Sequence, residues 1–291
     1  MNAYGQNFGG DWTIEKLERV RKYLVAYATI MNKQHFSFSY IDAFAGTGYR
    51  TLKKRGGDNE LLLPELAETE SQKFLDGSVR IALRVEPKFG SYLFIEKGLA
   101  KAKELEKLKN EFESIKDRIE IINKDANTYI AELCAEHWKR RRAVMFLDPF
   151  GMQVTWGTIE LIAKTQAIDL WILFPIGATN RLLKRDGNID DKWKEKLDTI
   201  LGETTWYDAF YEMTTTRDLF GEVSLTTKTG DFGSIKSYFV ERLKTVFPGV
   251  AKNPLLLRNN KNVPLFLLCF ACGNEKGAPI AIKIAQDILK H

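Results

Sequence analysis

Four acidic residues, each at the end of an apolar run, carry the chemistry that this chain offers. Asp42 closes FSFSYID and opens the small-residue turn Ala43-Phe44-Ala45-Gly46-Thr47-Gly48. Glycines there let the backbone approach a ligand, and the N–H groups that follow can hold a carboxylate or phosphate. Asp42 itself suits a cationic amine. Glu96 ends SYLFIEK (91–97), where an acid can accept from both hydroxyls of a ribose. Asp125 follows IEIINK, placed to accept from an adenine amino group. Asp148 begins Asp148-Pro149-Phe150-Gly151, in which Pro149 fixes the chain's exit and Phe150 offers a face for stacking on a planar substrate. Taken singly, each has a plain alternative as a turn or a strand-end acid. Their succession in order is far more specific.

The elements that would position them alternate between strand and helix. TIEKLERVRKYLVAYATIM has helical spacing, with Lys16, Arg19 and Lys22 on its outward face as solvated charge. Strands are expected over 36–42, 91–97, 119–125, 143–151 and 168–175, with helices over 98–117, 126–139 and 158–165 between them. Because AVMFLDPFG and IDLWILFP are almost continuously apolar, they fit a sheet covered on both faces. LLLRN (255–259) and VPLFLLCFAC (263–272) read as an antiparallel pair. The fold class is therefore α/β: a doubly wound, Rossmann-like, mostly parallel seven-stranded sheet with an antiparallel edge pair. A single domain over 1–291 accommodates it, with an N-terminal helix at 11–32, a loop insertion at 51–77 and a mainly helical insertion at 176–233. In that second insertion, Trp193, Trp206, Tyr207, Phe210 and Tyr211 suit the packing of a small cap better than a substrate wall.

Composition removes several function classes. The chain has 44% hydrophobic and 28% charged residues, with no apolar run long enough for a membrane span, so no membrane partner is expected. The N-terminal residues show no secretory signal pattern. Three cysteines are too few for a disulfide scaffold and fit a reducing cytoplasm. Cys269-x-x-Cys272 lies inside an apolar strand, where residues three apart face opposite ways, so buried small side chains explain it better than a metal site. No G-x-S-x-G, H-E-x-x-H or Walker A pattern supports a hydrolase. A dinucleotide oxidoreductase is disfavoured because Thr51 stands at the third glycine position and Asp42 would repel a pyrophosphate.

The ordered set of acid with glycines, acid, acid and Asp-Pro-aromatic resembles class I S-adenosylmethionine-dependent methyltransferases over residues 36–175. The resemblance implies S-adenosylmethionine as cofactor. It would have Asp42, Gly46 and Gly48 at the methionine part, Glu96 at the ribose and Asp125 at the adenine, with Phe44, Lys97 and Ala126 also binding the cofactor. Asp148, Pro149 and Phe150 would be catalytic, beside the sulfonium methyl, and no metal is implied. DWTIEKLERVRKYLVAY, YIDAFAGTG, FIEK, Asp125-Ala126-Asn127, FLDPFG and LLCFAC together resemble the bacterial three-Cys-motif partner family over nearly the full chain. That resemblance implies a partner encoded beside it that bears the three-cysteine motif.

The reaction implied is in-line attack by a substrate nucleophile on the sulfonium methyl, with the protein supplying alignment. Nucleic acid is the expected acceptor. The usual base-amino tetrad is Asp/Asn-Pro-Pro-aromatic, however, and here the aromatic is third and Gly151 fourth, which weakens the base-amine assignment. Basic residues at Arg50-Thr-Leu-Lys-Lys-Arg55 are the better candidates for phosphate contact, while Lys139–Arg142 precede a strand and belong at the opposite sheet edge. The alternative is a cofactor-binding scaffold working with a neighbouring iron–sulfur or radical enzyme.

Overall fold

Residues 11–46, 77–218 and 221–290 are described by the computed structural model. Gly48, the basic run at Arg50–Arg55 and nearly all of the expected 51–77 insertion lie outside the described residues. The chain opens with α1 (Asp11–Met31) and β1 (Ser37–Asp42). Next come α2 (Ser78–Arg84), β2 (Ser91–Ile95), α3 (Leu99–Glu111), β3 (Ile119–Ile122) and α4 (Ala126–Cys134). β4 (Arg141–Leu147), α5 (Trp156–Lys164) and β5 (Ile168–Phe174) complete the alternation.

These strands form one sheet in the order β3-β2-β1-β4-β5, every neighbouring pair parallel. β10 (Pro264–Cys272) then pairs antiparallel with β5, and β8 (Gly249–Val250) and β9 (Leu255–Arg258) flank its far side. The α/β class and the antiparallel edge thus match the sequence expectation. The sheet has eight strands, not seven, because the two residues of β8 add a short strand beside β10. Sequence order runs outward from β1 to β3, then jumps back across β1 to β4, so the order reverses between β1 and β4. Open α/β sheets bind ligands at such a crevice.

Every residue of β5 and β10 is buried, as is the apolar run of β4, because helices cover both sheet faces. One helical set is α1, α2 and α10 (Ala278–Leu289); the other includes α4, α5, α7 (Asp191–Leu201) and α9 (Phe232–Val246). Aromatic rings lock α1 down: Tyr23 packs on Trp171 and Phe270, with centroids 5.4 and 4.7 Å away. Its hydroxyl donates to buried Asp169 at 2.7 Å. Side-chain caps start α4, α5, α7 and α9, with Thr155 accepting from the Thr158 N–H for α5 and Asp231 forming a capping box for α9.

The insertion after β5 contains α6 (Ile176–Leu182), α7 and α8 (Trp206–Phe210), but also a hairpin of β6 (Tyr211–Asp218) and β7 (Gly221–Lys228). Its helices are therefore only part of it. Trp206 and Phe210 are buried, and Tyr207 stacks on Tyr211 at 4.6 Å, so these aromatics do serve as packing. Cys269 and Cys272 are buried in β10, and burial raises both thiols. Among the described residues no cluster of ligands could hold a metal, and no described helix is long and apolar enough to cross a membrane.

Gly202 ends α7 in the left-handed conformation (φ 77°), and an added Cβ would lie 2.1 Å from the Trp156 ring. Gly202→Ala is expected to cost about 2 kcal/mol or more from backbone strain and overpacking combined. Urea unfolding of the two proteins measures it, and an unchanged midpoint would contradict the packing described.

Candidate active site

Parallel strands deliver Asp42, Glu96 and Asp148 to the same sheet edge, on both sides of the order reversal. The turn after β1 is clamped there from two sides. Ala43 N–H donates to the Phe146 carbonyl and Ala45 N–H to the Ile95 carbonyl, each at 3.1 Å. The Glu96 N–H donates in turn to the Ile122 carbonyl at 2.9 Å. Gly46 sits at φ 65°, a conformation that disfavours a side chain, and among the described residues nothing lies within 4 Å of an added Cβ.

Asp42 is wholly buried. Its carboxylate accepts from Ser78 Oγ at 2.5 Å, from the Phe44 N–H at 3.2 Å and from the Tyr40 hydroxyl at 3.4 Å. Burial pushes Asp42 up to about 7, against the Ser78 hydrogen bond; the nearby Asp148 adds to the rise, while the Phe44 N–H and Lys16 oppose it. It shapes the turn directly, and a ligand amine would have to displace Ser78 to touch it. Phe44 is half-buried over this turn.

Asp148 is held by Lys16, whose ammonium lies 2.5 Å from Asp148 Oδ2. The Lys16 side chain has no exposure and that of Asp148 has 19%. Lys16 also lies over the rings of Trp12 and Phe146, 5.2 and 5.9 Å from their centroids. Sequence spacing places Lys16 and Arg19 outward, yet both are buried. The reason is that α1 is covered along two sides: Lys16 meets the carboxyl edge of the sheet, and Arg19 donates to the Ile288 carbonyl of α10 at 2.7 Å. Lys22 alone of the three is exposed. Lys16 is the functional candidate that pattern reading misses. A lysine one turn after a tryptophan, in a chain with unpaired strand-end carboxylates, is the only available signal.

Glu96 is half-buried, and its Oε1 accepts from the Gly98 N–H at 2.7 Å, which fixes the carboxylate and leaves Oε2 for a ligand hydroxyl. Asp125 does structural work. It caps α4 by accepting from the Asn127 and Thr128 N–H groups at 3.0 and 3.3 Å, with Lys97 Nζ at 3.3 Å. Partial burial raises its carboxyl, but the Thr128 N–H, Lys97 and the Asn127 N–H outweigh that and hold it below the usual range. Lys97 is otherwise exposed and Ala126 is buried. After β4, Pro149 is buried and Phe150 is 53% exposed. The Phe150 N–H donates to Gln153 Oε1 at 3.1 Å, and Gly151 takes φ 79°. The Asn127 side chain joins α4 to this loop, donating to the Gln153 carbonyl and accepting from Thr158 Oγ1 at 2.9 and 2.7 Å.

The structure thus groups Asp42, Asp148 and Lys16 at the reversal, with Glu96, Lys97 and Asp125 at the next two strand ends. Carboxylates of this kind complement hydroxyl and amine donors. An exposed ring beside them complements a planar group.

No protein-family model matches the chain, and no curated protein matches it in sequence. Among solved structures, a Legionella pneumophila protein aligns over 98% of this chain and 93% of its own at 12% identity and TM-score 0.49. A spermidine synthase in complex with the transition-state analogue AdoDATO aligns over 94% and 62%, at 13% identity and TM-score 0.44. A Listeria monocytogenes protein provisionally assigned as an S-adenosylmethionine-dependent methyltransferase aligns over 86% and 97%, at 10% identity and TM-score 0.36. Likenesses this distant say nothing of the chemistry.

Two measurements test the site's electrostatics. A carboxyl raised on folding stabilises the protein while protonated, so its contribution is complete below the unfolded value near 4 and fades as pH rises through about 7. Asp42→Asn should therefore match the wild type in melting temperature near pH 3 and exceed it increasingly from pH 4 to about 7, with the gap level above that. A constant difference would contradict the burial of a titrating Asp42. Lys16→Met, which strands Asp148, should cost about 3–5 kcal/mol in chemical unfolding, and Lys16→Met with Asp148→Leu should recover much of it. Additive losses would show that the two do not form a coupled pair.

Proposed function

We propose that this protein is an S-adenosylmethionine-dependent methyltransferase acting on nucleic acid. The observation that carries the reading is the convergence of Glu96, Asp42 and Asp148 at the order reversal with an exposed aromatic, Phe150, beside them. When bound, the cofactor supplies an electrophilic methyl group and the sulfide as leaving group. Glu96 Oε2 is suited to the ribose hydroxyls, and Lys97, Asp125 and Ala126 to the adenine side. Phe44, Gly46, Gly48 and the Asp42-shaped turn suit the methionine part.

The chain's own residues then align the acceptor. Phe150 can stack on a base, a contact worth about 1–3 kcal/mol. The Asp148 carboxylate and the Pro149 carbonyl can accept from an exocyclic amine and turn its lone pair toward the methyl. Lys16 holds the Asp148 carboxylate in place and offsets its charge, acting as a positioning residue.

A second reading draws on the resemblance to the three-Cys-motif partner family: a cofactor-binding protein that scaffolds a neighbouring three-cysteine enzyme. The full burial of Asp42 and Lys16 favours it, since both groups are closed off from an incoming acceptor.

Tritium-labelled cofactor incubated with total RNA and total DNA separates the two. Transfer by the wild type should fall about 5- to 150-fold in Phe150→Ala, the range set by one base stack. Label in neither nucleic acid, with or without the three-cysteine partner, would overturn the methyltransferase reading.

A further inference from the structure

The insertion that follows β5 holds a cationic turn by its backbone carbonyls. Lys184, Arg185, Asp186 and Gly187 form the turn, and three groups from the hairpin base and α8 grip its backbone. The Tyr211 hydroxyl donates to the Lys184 carbonyl at 2.8 Å, the Tyr207 hydroxyl to the Gly187 carbonyl at 3.1 Å and the Lys228 N–H to the Arg185 carbonyl at 3.0 Å. Gly187 is at φ 69°, and an added Cβ would lie 2.6 Å from the Tyr207 hydroxyl, so the turn has one geometry. The backbone is fixed while the Lys184 and Arg185 side chains are exposed.

Charge is left over at this turn. Among the described residues neither Lys184 nor Arg185 makes an ion pair. The Lys228 ammonium, half-buried behind them, donates to neutral acceptors, the Asn180 carbonyl and Oδ1 at 3.0 and 2.7 Å. Burial lowers Lys228, the neighbouring Arg185 lowers it further, and Asp231 acts in the opposite sense. Two carboxylates lie near. Asp186 accepts the Asn188 N–H at 3.1 Å and Asp231 accepts the Ser234 N–H at 2.7 Å as the cap of α9. Lys184, Arg185 and Lys228 thus set three cations against these two carboxylates. Because β4 and β5 are parallel, α6, which leads into this turn, starts from the same sheet edge as the Asp148-Pro149-Phe150 loop.

We propose that the Lys184-Arg185 turn, backed by Lys228, contacts the phosphates of a nucleic-acid strand whose base lies at the Phe150 loop. The proposal rests on the nucleic-acid methyltransferase reading and names the surface that would hold the acceptor. Rigid presentation matters here, since a cation already fixed in place loses less freedom on contacting a phosphate.

Fluorescence anisotropy with a fluorescein-labelled single-stranded RNA 20-mer and its DNA counterpart, in 50–200 mM KCl, tests it. The variants are Lys184→Gln with Arg185→Gln, and as a control of equal charge change Lys139→Gln with Arg140→Gln at the opposite sheet edge. Loss of two phosphate contacts should weaken binding about tenfold at 100 mM KCl and flatten the salt slope by about 1.4, with the control near wild type. Equal losses in both variants, or no change in the first, would overturn the proposal. So would a wild type that binds S-adenosylhomocysteine but neither strand, whether or not it binds acidic protein. If the slope changes as stated but S-adenosylhomocysteine does not bind, the phosphate contact stands and the methyltransferase reading falls.

Discussion

A buried ammonium has to meet a carboxylate, and the pairing of Lys16 with Asp148 decides where α1 lies. The contact joins residues far apart in sequence and pins the first turns of α1 to the carboxyl edge of β4. Tyr23, further along, anchors the helix to Asp169 and the ring cluster on β5 and β10. The helix therefore spans the sheet face from the site to the far edge. Its position closes the crevice at the order reversal on one side and brings a positive charge to a place that would otherwise hold two carboxylates alone.

The site is correspondingly costly to keep. Asp42 is buried with its carboxyl raised to about 7, near Asp148 and stabilised by one short hydroxyl contact. An apolar or amide side chain would pack there with less penalty, so stability alone gives no reason for an acid. Strain and unfavourable burial concentrate where chemistry requires them, and the apolar strands β4, β5 and β10 supply the surplus stability that tolerates them.

Much of the scaffold was legible from pattern because burial imposes pattern. The runs AVMFL and IDLWILF could only be strands covered on both faces, and each site acid, Asp148 included, announced itself by following an expected strand, whereas the lysine that pairs with Asp148 did not. What was hidden follows equally physical rules. Away from its base, where Tyr211 is buried and Thr226 and Lys228 are half-buried, the described side chains of the hairpin at 211–228 are exposed, with Met213 and Leu225 at 68% and 62%, so its Thr-rich sequence carries no alternation to detect. Lys16 was hidden because a helix covered on two sides buries more than its apolar stripe. Asp125 was legible as an acid at a strand end, but its work as the cap of α4 depends on where the helix begins, which pattern fixes only to within a few residues.

Cofactor recognition at Glu96 is the central claim, because every assignment of the other acids takes its orientation from it. Isothermal titration of S-adenosylhomocysteine into the wild type and Glu96→Ala tests it most directly. One site per chain should fill in the wild type, with affinity reduced at least tenfold in the variant, about 1.4 kcal/mol for the lost ribose contacts. Equal affinity in the two proteins, or no binding to the wild type, would contradict the account.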